Sequence, residues 1–207
     1  MPAMRFITST ISILLLAAAL GPAHAQDSAK GTKPDTVKQQ LPGPLATEAE
    51  RLDSLFDRLK KERSTELALG IANEIREVFT FSGSATVDLL MQNASRAVNE
   101  KRYGAALDFL DQVTLLAPDY AEGWNRRATI HYLLGNYPKA MSDSARVLAL
   151  EPRHIGALAG IAGILQETGH DRQALEAWEA YLAYYPADRE AQQQLIELTN
   201  KLAGQKT

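Results

Sequence analysis

Beyond its first twenty-five residues the chain carries three histidines, His131, His154 and His170. Imidazoles are the usual acid–base groups at neutral pH and common metal ligands. A helical zinc site needs two of them at i, i+4 spacing or an HExxH pattern, and neither occurs. His131 falls on a register position that favours packing, and His154 and His170 fall at predicted helix boundaries. Cysteine is absent, which removes thiolate metal sites, disulfides and cysteine nucleophiles. No GxSxG elbow is present, and no glycine-rich phosphate loop follows a strand. The carboxylates are scattered along helix surfaces, mostly beside Lys or Arg. The run "RLKKER" at 58–63 reads as a solvated helix end. These residues give no catalytic, cofactor-binding or metal-binding set. Noncovalent recognition is the chemistry that remains.

One stretch is unusual for a helix. "HIGALAGIAGILQETGH" holds Gly156, Gly160 and Gly163, and each glycine costs about 1 kcal/mol against alanine. At 100° per residue, these three and Glu167 share one narrow arc, and Leu158, Ile161 and Leu165 centre on the opposite, core-facing side. The glycine strip is either a slot for a partner backbone or space filled by the neighbouring helices.

The elements that position these residues recur along the chain. Pro118, Pro152 and Pro186 are each 34 residues apart. Ala94, Ala128 and Ala162 keep that period, as do Ala106, Ala140 and Ala174. Leu90, Trp124 and Leu158 are large and apolar in register, and Leu110 and Trp178 match around Ser144. Each period holds two helical patterns. In the middle one, Asp119 and Glu122 have capping-box spacing. The first helix stops near Gly135, Asn136 follows as an N-cap with Pro138 in the first turn, and the second helix ends before Pro152. The alanines lie where paired helices approach closely.

A 34-residue, two-helix unit of this kind resembles the tetratricopeptide repeat, TPR. Trp124, Ala140 and Pro152 match the family pattern; Ala128 and His131 stand for its common glycine and tyrosine. Arg127 and Ser144 depart from its usual leucine and aromatic. The resemblance implies an all-α solenoid with units at 85–120, 121–154 and 155–188, then a capping helix and tail at 189–207. Leu195, Leu198 and Leu202 mark the apolar side of that last helix. Residues 47–84, opened by a Thr47–Glu50 capping box, read as a helical hairpin, a degenerate repeat that caps or extends the array. Lys60 occupies a position that is alanine in the other units.

By the same resemblance, the first helix of each unit lines a concave, partner-binding groove. The first unit offers Met91, Gln92 and Ser95, with Asp88 and Asn99. The second offers Glu122, Asn125, Arg126, Thr129 and Tyr132. The third offers Gly156, Gly160 and Gly163 with Ala159, Gln166 and Glu167. Arg126 has the fork to grip a carboxylate, and Tyr132 a ring to stack on an apolar side chain. Chaperone-tail TPR domains share a clamp of lysines and asparagines. Here the matching positions hold Met91, Ser95, Gly156 and Gly160, which argues against that role.

Residues 1–25 read as a secretory signal peptide: Arg5, the apolar run "ISILLLAAAL", then "AHA" at 23–25, with cleavage after Ala25. Residues 26–46, polar with three prolines, read as a flexible linker. Net charge is −3, and loss of Arg5 with the leader makes the mature chain slightly more acidic. That gives no electrostatic case for nucleic acid or an anionic membrane, nor does the pattern call for membrane insertion after cleavage. The expectation is an exported, non-catalytic adaptor without cofactors. Resemblance to alphaproteobacterial periplasmic TPR proteins implies a periplasmic place, envelope-protein partners and a role in envelope integrity or biogenesis. The alternatives are a structural subunit of an outer-membrane assembly or secretion complex, and an envelope hydrolase whose site the repeat conceals.

Overall fold

The computed structural model describes residues 47–204; the predicted signal peptide and linker lie outside the described residues, as does the end of the tail at 205–207. Among the described residues there are nine helices and no strand: α1 (Glu48–Lys61), α2 (Thr65–Thr80), α3 (Ala85–Asn99), α4 (Tyr103–Leu116), α5 (Ala121–Leu133), α6 (Tyr137–Leu150), α7 (Ile155–Glu167), α8 (Asp171–Leu182) and α9 (Arg189–Gly204). The fold is an all-α solenoid. α3 pairs with α4, α5 with α6 and α7 with α8; α4, α6 and α8 then pack on the helix that follows each pair.

The period explains the packing. Ala94, Ala128 and Ala162 on the first helices are buried, as are Ala106, Ala140 and Ala174 on the second. Methyl-sized side chains let the two axes of a pair come together. The three prolines sit in the loops between units, where they donate nothing. Their carbonyls are used: Trp124 Nε1 donates to Pro118 O at 3.1 Å and Gln192 Nε2 to Pro186 O at 2.6 Å. Gly135 takes φ +69° just beyond α5, the left-handed stop that glycine allows.

Caps follow sequence in part. The Thr47–Glu50 box forms reciprocally, with Thr47 N donating to Glu50 at 2.8 Å and Glu50 N to Thr47 Oγ1 at 3.2 Å. Asn136 holds the N-cap position of α6 with Pro138 behind it, but its side chain makes no cap bond. The expected Asp119–Glu122 box is absent: Tyr120 is the N-cap of α5, and Glu122 turns inward and is buried. Its carboxylate finds stronger, charged partners there than a backbone N–H.

The hairpin is the main departure. It does not extend the array beyond α3. α2 packs against α5, and the apolar stripes of α1 and α2 share one core with Ile155 and Leu158 of α7, Tyr181 of α8, Tyr185 and Ala187 beyond it, and Ala191 of α9. Thr65 Oγ1 donates to Ala187 O at 3.4 Å, and Phe79 stacks on His154 with ring centroids 4.5 Å apart. Lys60, the position that breaks the alanine pattern, is not a helix–helix contact; its ammonium lies 4.6 Å from the centre of the Tyr184 ring, a cation–π arrangement.

Two glycines make opposite predictions. A β-carbon at Gly163 meets nothing within 4 Å, whereas at Gly123 it meets Val113 Cγ1 at 2.6 Å. Val113 is fully buried and has nowhere to go. Gly163→Ala is expected to stabilise by about 1 kcal/mol through helix propensity. Gly123→Ala is expected to destabilise by about 1–3 kcal/mol through overpacking. Urea unfolding of both variants checks the opposite signs.

Candidate functional site

The first helices of the first two units face α2 across two adjoining clefts. One, of about 650 Å³, runs between Glu77, Thr80 and Phe81 on the α2 side and Asp88, Met91, Gln92, Ser95, Arg96 and Asn99 on α3, closed by Arg126. The other, of about 340 Å³, shares Ser95, Asn99 and Arg126 with the first and adds Arg76, Glu122, Asn125 and Thr129. The structure therefore brings together nine of the residues expected from sequence: Asp88, Met91, Gln92, Ser95, Asn99, Glu122, Asn125, Arg126 and Thr129. Three arginines on three helices line this space: Arg76, Arg96 and Arg126.

Arg126 is held, not loose. Its Nε donates to Glu122 Oε1 at 2.7 Å and its Nη1 to Ser95 Oγ at 3.1 Å, so it ties α5 to α3. Asn125 Nδ2 donates to the other Glu122 oxygen at 2.9 Å. Thr129 and Ser95 are local, each hydroxyl donating to the carbonyl four residues back.

Glu122 also faces His154, whose Nε2 lies 3.4 Å from Oε2. His154 is the N-cap of α7: its Nδ1 accepts from Ala157 N at 3.2 Å. An accepting Nδ1 leaves the proton on Nε2, the atom aimed at Glu122. The ring is buried and forms a base for Phe79. Burial raises the Glu122 carboxyl, but the bond with His154 and the charge and bond of Arg126 outweigh it and hold the group below its ordinary value of 4.5. A lowered folded pKa contributes stability present above the unfolded value and lost as pH falls through the folded one. The stability difference between wild type and Glu122→Gln is therefore expected to be constant above about pH 5 and to shrink as pH falls below 4.5. Paired urea titrations across that range measure it; a difference independent of pH contradicts the assignment.

The remaining expected residues lie elsewhere. Tyr132 donates its hydroxyl to Glu167, and Tyr137 does so at 2.6 Å to the other oxygen. These bonds hold the Glu167 carboxyl below its ordinary range and push the Tyr132 phenol up to about 12. The Tyr132 ring packs beside Tyr137, centroids 5.9 Å apart. Gly156, Gly160 and Gly163 line neither cleft. A β-carbon at Gly156 would meet the His154 ring at 3.3 Å and Asn125 Oδ1 at 3.4 Å, and at Gly160 only Ser144 Oγ at 4.0 Å. The start of the strip thus serves close packing of α7 beside α5, and its far end is open.

Arg76, Glu77, Thr80 and Phe81 were not legible as site residues, because nothing local places α2 opposite α3. Arg96 carried a weak signal, lying four residues beyond Gln92 and so on the same helix face.

His131 is buried in α5, and burial pushes its imidazole below the usual value. Among the described residues no group of three or more His, Asp or Glu side chains is placed to hold a metal ion, and no helix is long and apolar enough to cross a membrane.

No protein-family model matches the chain. A TPR repeat-containing protein of Rhizobium etli is 50% identical to it over 207 residues, the whole of both chains. The human protein SGT1 homolog is 35% identical over 77 residues, 37% of this chain and 21% of that protein. Among solved structures, the first TPR of Spaghetti (RPAP3) bound to the HSP90 peptide SRMEEVD has a TM-score of 0.55 at 20% identity, covering 58% of this chain and 95% of that one. The TPR2B–pHsp70 complex of yeast Sti1 has a TM-score of 0.53 at 18% identity, covering 57% and 99%. At these identities the structural likeness is one of fold.

Proposed function

Because this chain belongs to the family of TPR repeat-containing proteins, we propose that it is an adaptor that holds an extended segment of a partner protein in the clefts between α2, α3 and α5. The observation that carries this reading is the convergence of Arg76, Arg96 and Arg126 beside Met91 and the exposed Phe81. A segment with a carboxylate side chain near the arginines and an apolar one near Met91 and Phe81 matches that lining. The guanidinium charge of Arg76 and Arg96 favours a carboxylate, while Arg126 keeps its Nε and Nη1 on Glu122 and Ser95. The residues contribute no bond chemistry. TPR repeat proteins are generally non-catalytic scaffolds.

The proposed setting is the periplasm, reached through the leader at 1–25, and the proposed partners are envelope proteins whose upkeep or assembly the adaptor supports. The leader pattern supports export, and the resemblance to periplasmic TPR proteins supports the envelope role.

The test is crosslinking and co-purification from the periplasmic fraction, comparing wild type with Arg76→Glu and Arg96→Glu, two exposed cleft arginines. Both variants should first match the wild type in helical circular dichroism and melting. Proteins recovered with wild type are expected to fall at least tenfold with either variant. An unchanged set rejects the cleft, and a chain confined to the cytoplasm rejects the setting.

A further inference from the structure

Val98 and Tyr132 hold the same register position, 34 residues apart, on the first helices α3 and α5. Tyr132 reaches from α5 to α7, where its hydroxyl donates to Glu167, so its side chain spans the junction between those helices. Valine at the same position is too short to bridge to the next helix. The junction between α3 and α5 is correspondingly open and holds the cleft of about 340 Å³. Its floor is apolar, made by Ala94, Val98, Leu110 and Ile130. Ala94, Leu110 and Ile130 belong to the core of the first two units, and Val98 is half-buried at its edge. The cleft is space above that core, not a piece of it.

The rim is polar and contains one uncommitted cation. Arg126 is tied to Glu122 and Ser95. Arg76, by contrast, is exposed, bonds through Nη1 to Asn73 and makes no ion pair among the described residues. A guanidinium beside an apolar floor offers two things at once, charge for a carboxylate and a flat face for a ring. The chain uses this double contact twice within itself. Arg127 lies 4.7 Å from the centre of the Trp124 ring while it grips Asp143. Arg153 lies 4.6 Å from the centre of the Phe56 ring while it grips Asp53.

We propose that the cleft between α3 and α5 is a pocket for an aromatic side chain of the partner segment, with an acidic side chain next to it in sequence held by Arg76. The inference rests on the adaptor reading of these clefts and names the residue pair that the segment carries. The volume of about 340 Å³ is within the range of small-ligand pockets. The ring lies on Val98, in the place that the Tyr132 side chain takes at the next junction, and Arg76 covers it as Arg127 covers Trp124. The two clefts adjoin and share Ser95, Asn99 and Arg126. An extended chain that occupies both runs through the pocket, so the acidic and aromatic pair lies within the segment and not at a chain end.

The probe is the capped peptide acetyl-GGEFGG-amide, titrated into the purified protein and read from the methyl NMR signals of Val98 and Ile130. Saturable shifts of both signals are expected. Removal of the ring, in acetyl-GGEAGG-amide, should weaken binding about tenfold. Removal of the charge, in acetyl-GGQFGG-amide, should weaken it about fivefold, and Arg76→Gln should do the same without adding to that loss. Val98→Tyr, which copies the next unit, should weaken the first peptide about tenfold by filling its place, with melting unchanged.

Absence of saturable binding, binding without shifts at Val98 and Ile130, or a Val98→Tyr variant that binds as wild type does overturns the proposal. So does tighter binding of acetyl-GGF with a free C-terminal carboxylate than of the capped peptide, since the anchor is then a chain end. If Val98→Tyr melts below wild type, Thr129→Trp, at an exposed rim position, takes its place with the same expectation. Co-purification from the periplasmic fraction separates the pocket from the adaptor reading. Partners lost with Arg76→Glu and Arg96→Glu but kept with Val98→Tyr overturn the pocket and leave the adaptor. Peptide binding blocked by Val98→Tyr, with no partner lost from any variant, upholds the pocket and removes the adaptor.

Discussion

Arg127→Ala is expected to destabilise the protein by about 3–5 kcal/mol, the cost of leaving a buried carboxylate without its partner. Arg127 sends Nε and Nη2 to the two oxygens of Asp143 at 2.8 and 2.7 Å, a bidentate fork. Its Nη1 donates to Asp111 at 2.8 Å and to Thr114 Oγ1 at 3.0 Å, so one side chain joins α4, α5 and α6. Asp143 is 5% exposed. The Trp124 ring covers the guanidinium, 4.7 Å from centroid to Cζ. Asp143 first, and Asp111 with it, raise Arg127's pKa further against the pull of burial, so the charge persists at every working pH. The loss comes mainly from stranding Asp143, so the paired variant Arg127→Leu with Asp143→Leu should recover most of it. A double-mutant cycle by urea unfolding measures this. Additive single losses, with no recovery, would show that the pair is not the unit of stabilisation.

Phe56→Ala should be the most damaging truncation in the hairpin, again about 3–5 kcal/mol. The ring is 2% exposed and touches Tyr184, Phe79 and the Arg153 guanidinium. Its removal leaves a cavity under three groups that come from α2 and from the loops bounding α7 and α9, and none is free to fill it alone. Leu69→Ala, on the same hairpin but 51% exposed, is the control and should change stability by less than about 0.5 kcal/mol. Urea unfolding followed by circular dichroism reads both. Equal effects at the two positions would mean that the hairpin is not docked through Phe56.

The first expectation depends on a residue that the repeat pattern marks as irregular. Arg127 stands where the family usually has leucine, and the loss of an apolar contact is compensated by Asp143, sixteen residues on and one helix across. A register argument sees the missing leucine and does not see its replacement, because the compensation is between helices. The Asp119–Glu122 spacing had the same weakness. It described a local cap, while the buried carboxylate was drawn inward by the charge-assisted bonds of Arg126 and Asn125.

The candidate cleft was half legible. Met91, Gln92, Ser95, Asn125, Arg126 and Thr129 follow from helical register once the resemblance to TPR arrays names the groove face, since α3 and α5 present the same face one unit apart. Tyr132 and Glu167 also follow from register, but their hydroxyl–carboxylate bond spans 35 residues and satisfies both groups within the chain.

The sequence by itself determined the solenoid. A 34-residue period of alanines and prolines specifies helix pairs, their close contacts and their turns, because each of those is a local or nearest-neighbour property. It also excluded thiol chemistry outright. Only the tertiary structure decided where α1–α2 goes. Its apolar stripes state that the hairpin must be buried and say nothing about against what, since a hydrophobic face is satisfied by any surface of matching shape. That choice set Phe79 on His154, made α2 a wall of the arginine clefts, and covered the apolar face of α7, α8 and α9.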